Sequence, residues 1–197
     1  MKTSTRNLVK GHLGDLMHAV EDLQDETEQV IEWGTRLALV LSQGGRLYTA
    51  GNGGSAAHAQ HLAAELVGRM RGEREPLSAF ALTADGSTVT ALGNDYGYEE
   101  VFARQVRAHA GPGDIVLLMS TSGASPNLLA AAEVALDRGA EPWAMTGMLP
   151  NPLAPLCKYA IAVPSDDPQV VQEIHQVLVH LICECLDTTL ASVRSAS

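Results

Sequence analysis

Cysteine, basic charge and long apolar runs are all scarce in this 197-residue chain, and each scarcity excludes something. The three cysteines are an odd number with no C-x-x-C pair, which argues against a disulfide framework. Cys183 and Cys185 stand two apart in a helical pattern and point to different faces, so reduced, mostly buried thiols are expected. Lys and Arg number 13 against 23 Asp and Glu, a formal net charge of −10, which excludes nucleic-acid binding by a basic surface. An anionic substrate would therefore have to be met locally, by backbone donors, hydroxyls or a metal. No run approaches the roughly 18 apolar residues of a membrane span, and residues 1–7 lack the apolar core of a signal peptide. A soluble, cytoplasmic protein with no membrane association is the expectation.

What is present has a globular balance, with 46% hydrophobic and 18% charged residues. The length suits one well-buried domain, here taken as 1–197. Residues 8–43 read as helix, because Leu8, Leu13, Leu16, Val20, Leu23, Val30, Ile31, Leu37 and Leu41 recur mostly at three- and four-residue steps. Gly11, Gly14 and Gly34 weaken that pattern locally, so it holds one helix or two, and Gly44-Gly45 closes it. From residue 44 an α/β core is expected. Short apolar runs at 46–50, 78–82, 114–119, 141–146 and 159–163 alternate with helical patterns at 54–70, 98–109, 125–138, 152–156 and 168–191. That alternation implies parallel strands joined by crossovers, with helices on both faces. In such sheets ligands bind beyond the carboxyl ends of the strands.

Three loops fall there. Gly51-Asn52-Gly53-Gly54-Ser55 leads from the first strand into a helix, with Ser55 as its candidate N-cap. Glycines permit close backbone approach, and a helix N-terminus favours anions. A tight turn without ligand would read the same way, and the loop is not a G-x-G-x-x-G fingerprint. Ser120-Thr121-Ser122-Gly123-Ala124-Ser125-Pro126 follows the third strand. Its hydroxyls, with helix N-terminal amides, can hold a phosphate without Lys or Arg; a serine-rich helix start is the alternative, and the place at the carboxyl end of a buried parallel strand favours the ligand. Gly93-Asn94-Asp95-Tyr96-Gly97-Tyr98 reads as a third polar loop.

Histidines and carboxylates supply the remaining chemistry. His61 and Glu65 stand four apart on one helical face, where they could share a metal ion, and His58 could join them. Gln172, Gln176 and His180 form a stripe along an otherwise apolar helix, where buried polar groups need partners. By spacing alone, a lone His/Glu pair is more often a solvated helix face. His12, His18 and His109 have no such context and are expected at the surface.

Together, G-N-G-G-S, His61-x-x-x-Glu65, G-N-D-Y-G-Y, S-T-S-G-x-S and Gln172-Glu173-Ile174-His175 resemble the phosphoheptose isomerase family of the SIS (sugar isomerase) fold group, over nearly the whole chain. The resemblance implies a three-layer α/β sandwich with a five-stranded parallel sheet. It also implies N-terminal helices (1–43) that contribute to oligomerisation. It implies one zinc ion per active site held by His61, Glu65, Gln172 and His180, with acid/base work by Glu65 and His180. Substrate contacts are implied for Asn52, Gly53, Gly54, Ser55, Glu65, Asn94, Asp95, Ser120, Thr121, Ser122, Ser125 and Gln172. His58 falls outside the implied zinc set and counts as a flanking residue. Gln169 departs from the family, which often has an acidic residue there. The implied reaction is isomerisation of sedoheptulose 7-phosphate to D-glycero-D-manno-heptose 7-phosphate through an enediol, in a homotetramer with sites between subunits. A metal-free regulator of the same fold, binding a partner such as a replication initiator, is the alternative; it would lack a zinc ligand, and here all four are present.

Overall fold

In the computed structural model, which describes residues 4–195, strands β1 (Leu47–Gly51), β2 (Ala79–Ala81), β3 (Ile115–Ser120), β4 (Glu141–Thr146) and β5 (Tyr159–Ala162) form one sheet. All pairings are parallel, in the order β2-β1-β3-β4-β5. Successive side chains of β3 alternate between two cores, as the period of a strand requires. Ile115, Leu117 and Met119 face a core shared with Trp33, Leu37, Leu62, Leu66, Ile174 and Ile182. Val116 and Leu118 face a second core with Phe102, Val106, Leu128 and Ala132. Burying each such side chain contributes about 1.5–3 kcal/mol, so both faces must stay covered.

The first core lies under α2 (Thr27–Ser42), α3 (Gly54–Val67) and α7 (Pro168–Ser195), the second under α5 (Glu100–His109) and α6 (Pro126–Asp137). The N-terminal pattern resolves into two helices, α1 (Thr5–Asp22) and α2, joined by a 3-10 turn at Leu23–Glu26. None of the three glycines breaks a helix. Gly34 instead lets α2 meet α7: a Cβ there would lie 2.9 Å from the Ile182 carbonyl and 3.0 Å from Leu186 N. Gly44 adopts φ 87° and donates to Leu41, while Gly45 donates to Val40, so the expected glycine stop is a Schellman motif.

One helix escapes the sequence pattern. The fourth, α4 (Gly86–Tyr96), contains Asn94 and Asp95, so these are not loop residues as expected but the last turn of a helix. Asp85 starts it, accepting bonds from the amides of Ser87 and Thr88. Gly97 at φ 89° ends it. The expected helix at 152–156 is only a 3-10 turn, Ala154–Leu156. Long and apolar enough to cross a membrane by composition, α7 spends its apolar face (Val170, Val171, Ile174, Leu178, Ile182, Leu186) in the first core. The thiols are free: Cys183 is buried, while Cys157 and Cys185 are half-buried, and burial pushes those of Cys157 and Cys183 up to about 12.

Candidate active site

The carboxyl ends of β1 and β3 are neighbours in the sheet, and both polar loops emerge there. After β1 the chain must turn sharply into α3. Gly53 makes the turn at φ 56°, a conformation that side-chain-bearing residues resist. Gly53 also occupies the N-cap position, which corrects the assignment to Ser55; Ser55 is buried in the first helical turn, its amide bonded to the Asn52 carbonyl at 3.0 Å. Asn52 exchanges two side-chain bonds with Asn127, at 3.0 and 2.9 Å, and Tyr98 donates to Asn52 Oδ1 at 3.1 Å. Asn127 sits in the first turn of α6 and is buried, so this amide pair ties the glycine loop to the helix that follows the hydroxyl loop. Spacing did not single Asn127 out. Its signal was slight, an amide directly after the Ser125-Pro126 helix start.

The hydroxyl loop is braced from behind. Gly123 at φ 60° donates to Ser120 Oγ at 3.0 Å, and Ala124 N donates to Ser122 Oγ at 3.2 Å. The 147–153 segment holds its outer side through Gly147 N to the Thr121 carbonyl, at 3.1 Å, and Leu153 N to the Gly123 carbonyl, at 2.9 Å. Ser120 is buried and 3.4 Å from Ser125, oxygen to oxygen. The Ser125 side chain makes no capping bond to α6, although it occupies the N-cap position. Its oxygen is therefore available to a ligand at that helix N-terminus, where an anion is favoured.

Along the first core, α3 and α7 bring the other residues together. His61 Nε2 lies 3.1 Å from His180 Nε2 and 3.4 Å from Glu65 Oε1. The Gln176 amide is 3.1 Å from His180 Nε2, so the expected stripe includes a neighbour to the proposed ligands that the family resemblance did not assign. Gln172 packs on the glycine loop: a Cβ on Gly54 would lie 2.8 Å from Gln172 Cδ. Only glycine leaves room for that amide. Two ligands about 2.1 Å from one tetrahedral ion stand roughly 3.4 Å apart, so the His61–His180 and His61–Glu65 spacings fit zinc. The fit is incomplete: among the described residues no three His, Cys, Asp or Glu side chains close on one point, and the fourth donor is a neutral amide.

Asn94 and Asp95 are exposed, the Asn94 amide donating to Asp95 at 2.8 Å. No bond joins them to the other candidates among the described residues. His18 and His109 are exposed as expected, but His12 is not a bare surface residue. It is half-buried and bonded to both carboxylate oxygens of Glu173 at 3.0 Å, which raises its pKa through that bond. His58 is half-buried beside the His61 pair, its pKa lowered by burial and then by His61. His175 is fully buried and donates Nε2–H to the Thr146 carbonyl at 3.2 Å; burial pushes its pKa down to about 4.

A parallel sheet with hydroxyl and glycine loops at its carboxyl ends defines the class, and residues 12–147 match the SIS domain family. A phosphoheptose isomerase of Streptomyces coelicolor is 53% identical over 92% of this chain and 79% of its own length. One from Helicobacter pylori is 43% identical over 91% of this chain and 92% of its own. The solved structure of a phosphoheptose isomerase from Francisella tularensis superposes with a TM-score of 0.89 at 33% identity, covering 94% of this chain and all of the other. The chain belongs to the phosphoheptose isomerase family and is an enzyme, an isomerase.

Proposed function

We propose that the enzyme interconverts sedoheptulose 7-phosphate and D-glycero-D-manno-heptose 7-phosphate, with its phosphate on the 120–125 loop and its reacting carbons between α3 and α7. The observation that carries this reading is the approach of His61 Nε2 to His180 Nε2, at 3.1 Å, and to Glu65 Oε1, at 3.4 Å, joined by contacts to the hydroxyl loop. Gln172 touches Gly54, Asn52 bonds Asn127, and Asn127 begins the helix that the hydroxyl loop feeds.

Isomerisation moves one proton from C1 to C2 while a second passes from O1 to O2 in the same direction. Glu65 takes the C1 proton and returns it to C2 of the enediol. His180 gives a proton to O2 and recovers one from O1, so charge and protons balance. Ser120, Thr121, Ser122 and Ser125 hold the phosphate, which fixes where C1 and C2 lie relative to Glu65. Asn52, Gly53, Gly54 and Ser55 shape the sugar pocket beside it, and Asn94 and Asp95 would join only in the assembled enzyme. His61, Glu65, Gln172 and His180 would hold one zinc ion, which supplies Lewis-acid polarisation of the carbonyl. The exposed apolar residues Leu8, Val9, Leu13 and Met17 on α1, with Val177 and Leu181 beside His180 on α7, support a homotetramer with sites between subunits. Soluble cytoplasmic operation is part of the same reading.

Turnover of sedoheptulose 7-phosphate by Glu65→Gln, together with zinc analysis of the purified protein, tests it. A fall in kcat of about 100-fold or more is expected from loss of the base. Full turnover by the variant would remove Glu65 from the chemistry.

A further inference from the structure

The paired residues stand on two helices that are remote in sequence, so some contact must set the distance between them. The shared core packs them together, and Arg74, in the connection after α3, adds a polar contact that reaches both. Its side chain is only 6% exposed, and its Nε donates to Asp187 Oδ1 at 2.8 Å. Nη2 donates to the Glu65 carbonyl at 2.7 Å and Nη1 to the Leu66 carbonyl at 2.8 Å, with Nη1 also 3.1 Å from the Glu75 carbonyl. The Glu65 and Leu66 carbonyls belong to the last turn of α3, where a helix leaves acceptors without internal donors and favours positive charge. Asp187 lies two turns beyond His180 on α7 and shares its face.

The bonds run in one sequence along both helices: Gly54 against Gln172, then His61 against His180, then the end of α3 through Arg74 to Asp187. We infer that Arg74 is a positioning residue that locks the end of α3 to α7 and so sets the approach of His61 and Glu65 to His180. The inference rests on the zinc and acid/base reading of those side chains. A guanidinium suits the task because its donors have fixed directions in one plane, whereas a lysine ammonium is a single rotating point charge. Stability alone is a poor account of it, since buried ion pairs roughly break even against apolar replacements. What the fork adds is geometry: one group binds the backbone of Glu65 and the side chain of the opposite helix together.

The test compares the full-length parent, Arg74→Lys and Asp187→Asn for zinc affinity, by chelator competition, and for kcat and KM with sedoheptulose 7-phosphate. Arg74→Lys is expected to lose about tenfold or more in both zinc affinity and kcat, the scale for residues that orient metal ligands. KM should move less than about twofold, because the phosphate loop lies on other elements. Asp187→Asn retains an acceptor for Arg74 and the carbonyl bonds, so its loss should be smaller, about threefold. If Arg74→Lys fails to fold, Asp187→Asn decides. Zinc affinity and kcat equal to the parent in a folded variant overturn the inference. A parent that binds no zinc defeats the metal reading instead, and kcat alone then judges Arg74.

Discussion

Lowering the pH should destabilise this enzyme through one buried ring. His175 has no exposed surface, donates one nitrogen to the Thr146 carbonyl, and leaves Nδ1 buried without a partner. Its folded pKa is about 4 against an ordinary value of 6.5, because burial disfavours the imidazolium and the nearby His58 adds repulsion, partly offset by the Thr146 bond. Above the ordinary value both states are neutral and the ring costs nothing. As pH falls through 6.5 the unfolded chain takes up a proton that the folded chain refuses, so stability is lost until the folded pKa is reached. The full gap corresponds to about 3 kcal/mol, and at pH 5 about 2 kcal/mol of it has already gone. Urea unfolding at pH 7.5 and 5.0, at one protein concentration, measures it against His175→Gln, whose amide does not titrate. The parent should lose about 2 kcal/mol more than the variant between the two pH values. Subtracting the variant removes His58, which is shifted in the same direction, and His12, whose raised pKa acts in the opposite sense. Equal pH dependence in parent and variant would refute the argument.

Two glycines give sharper structural tests. Gly54→Ala would place a methyl against the Gln172 amide, so zinc affinity should fall about tenfold while the melting temperature changes by only a few degrees; unchanged affinity would detach Gln172 from the site. Gly34→Ala would press on the Ile182 carbonyl, which belongs to a helix backbone and cannot swing aside as a side chain would. Overpacking of about 1–3 kcal/mol, against a helix-propensity gain of about 1, should give a net loss near 1 kcal/mol and a melting temperature lower by about 2–4 °C. A stabilised variant would show that α2 and α7 have room to separate.

Sequence patterns exposed the sheet more completely than the helices, for a physical reason. A parallel strand buried on both faces reads as an unbroken apolar run, and Ile115–Ser120 has every residue buried. Helix α4 buries nothing fully, and its Gly86, Thr88, Thr90 and Gly93 are poor helix formers, so neither periodicity nor propensity marks it. It forms because Asp85 caps it and α5 lies alongside, with Arg104 over the Tyr96 ring at 3.7 Å. The pattern that made Asn94 and Asp95 look like a turn is the unwinding end of that helix.

At the site, the legible part was local and the illegible part was pairwise. The i, i+4 spacing of His61 and Glu65 and the stripe from Gln172 to His180 follow from helix geometry alone, so a sequence can display them. Which two faces meet cannot be displayed in that way. His12 looked like a bare surface residue until Glu173 arrived from the far end of the chain. Arg74 is harder still, because it stands with Arg69 and Arg71 in a charged stretch, and spacing gives no reason to prefer one of the three. The fold separates them by destination: Arg69 and Arg71 reach Glu73 and Glu184 at the surface, whereas Arg74 turns inward to the last carbonyls of α3. The candidate chemistry is carried by residue types that a sequence shows, while the contacts that bring the His61 and His180 helices together, Arg74's among them, become visible only when both helices are in place.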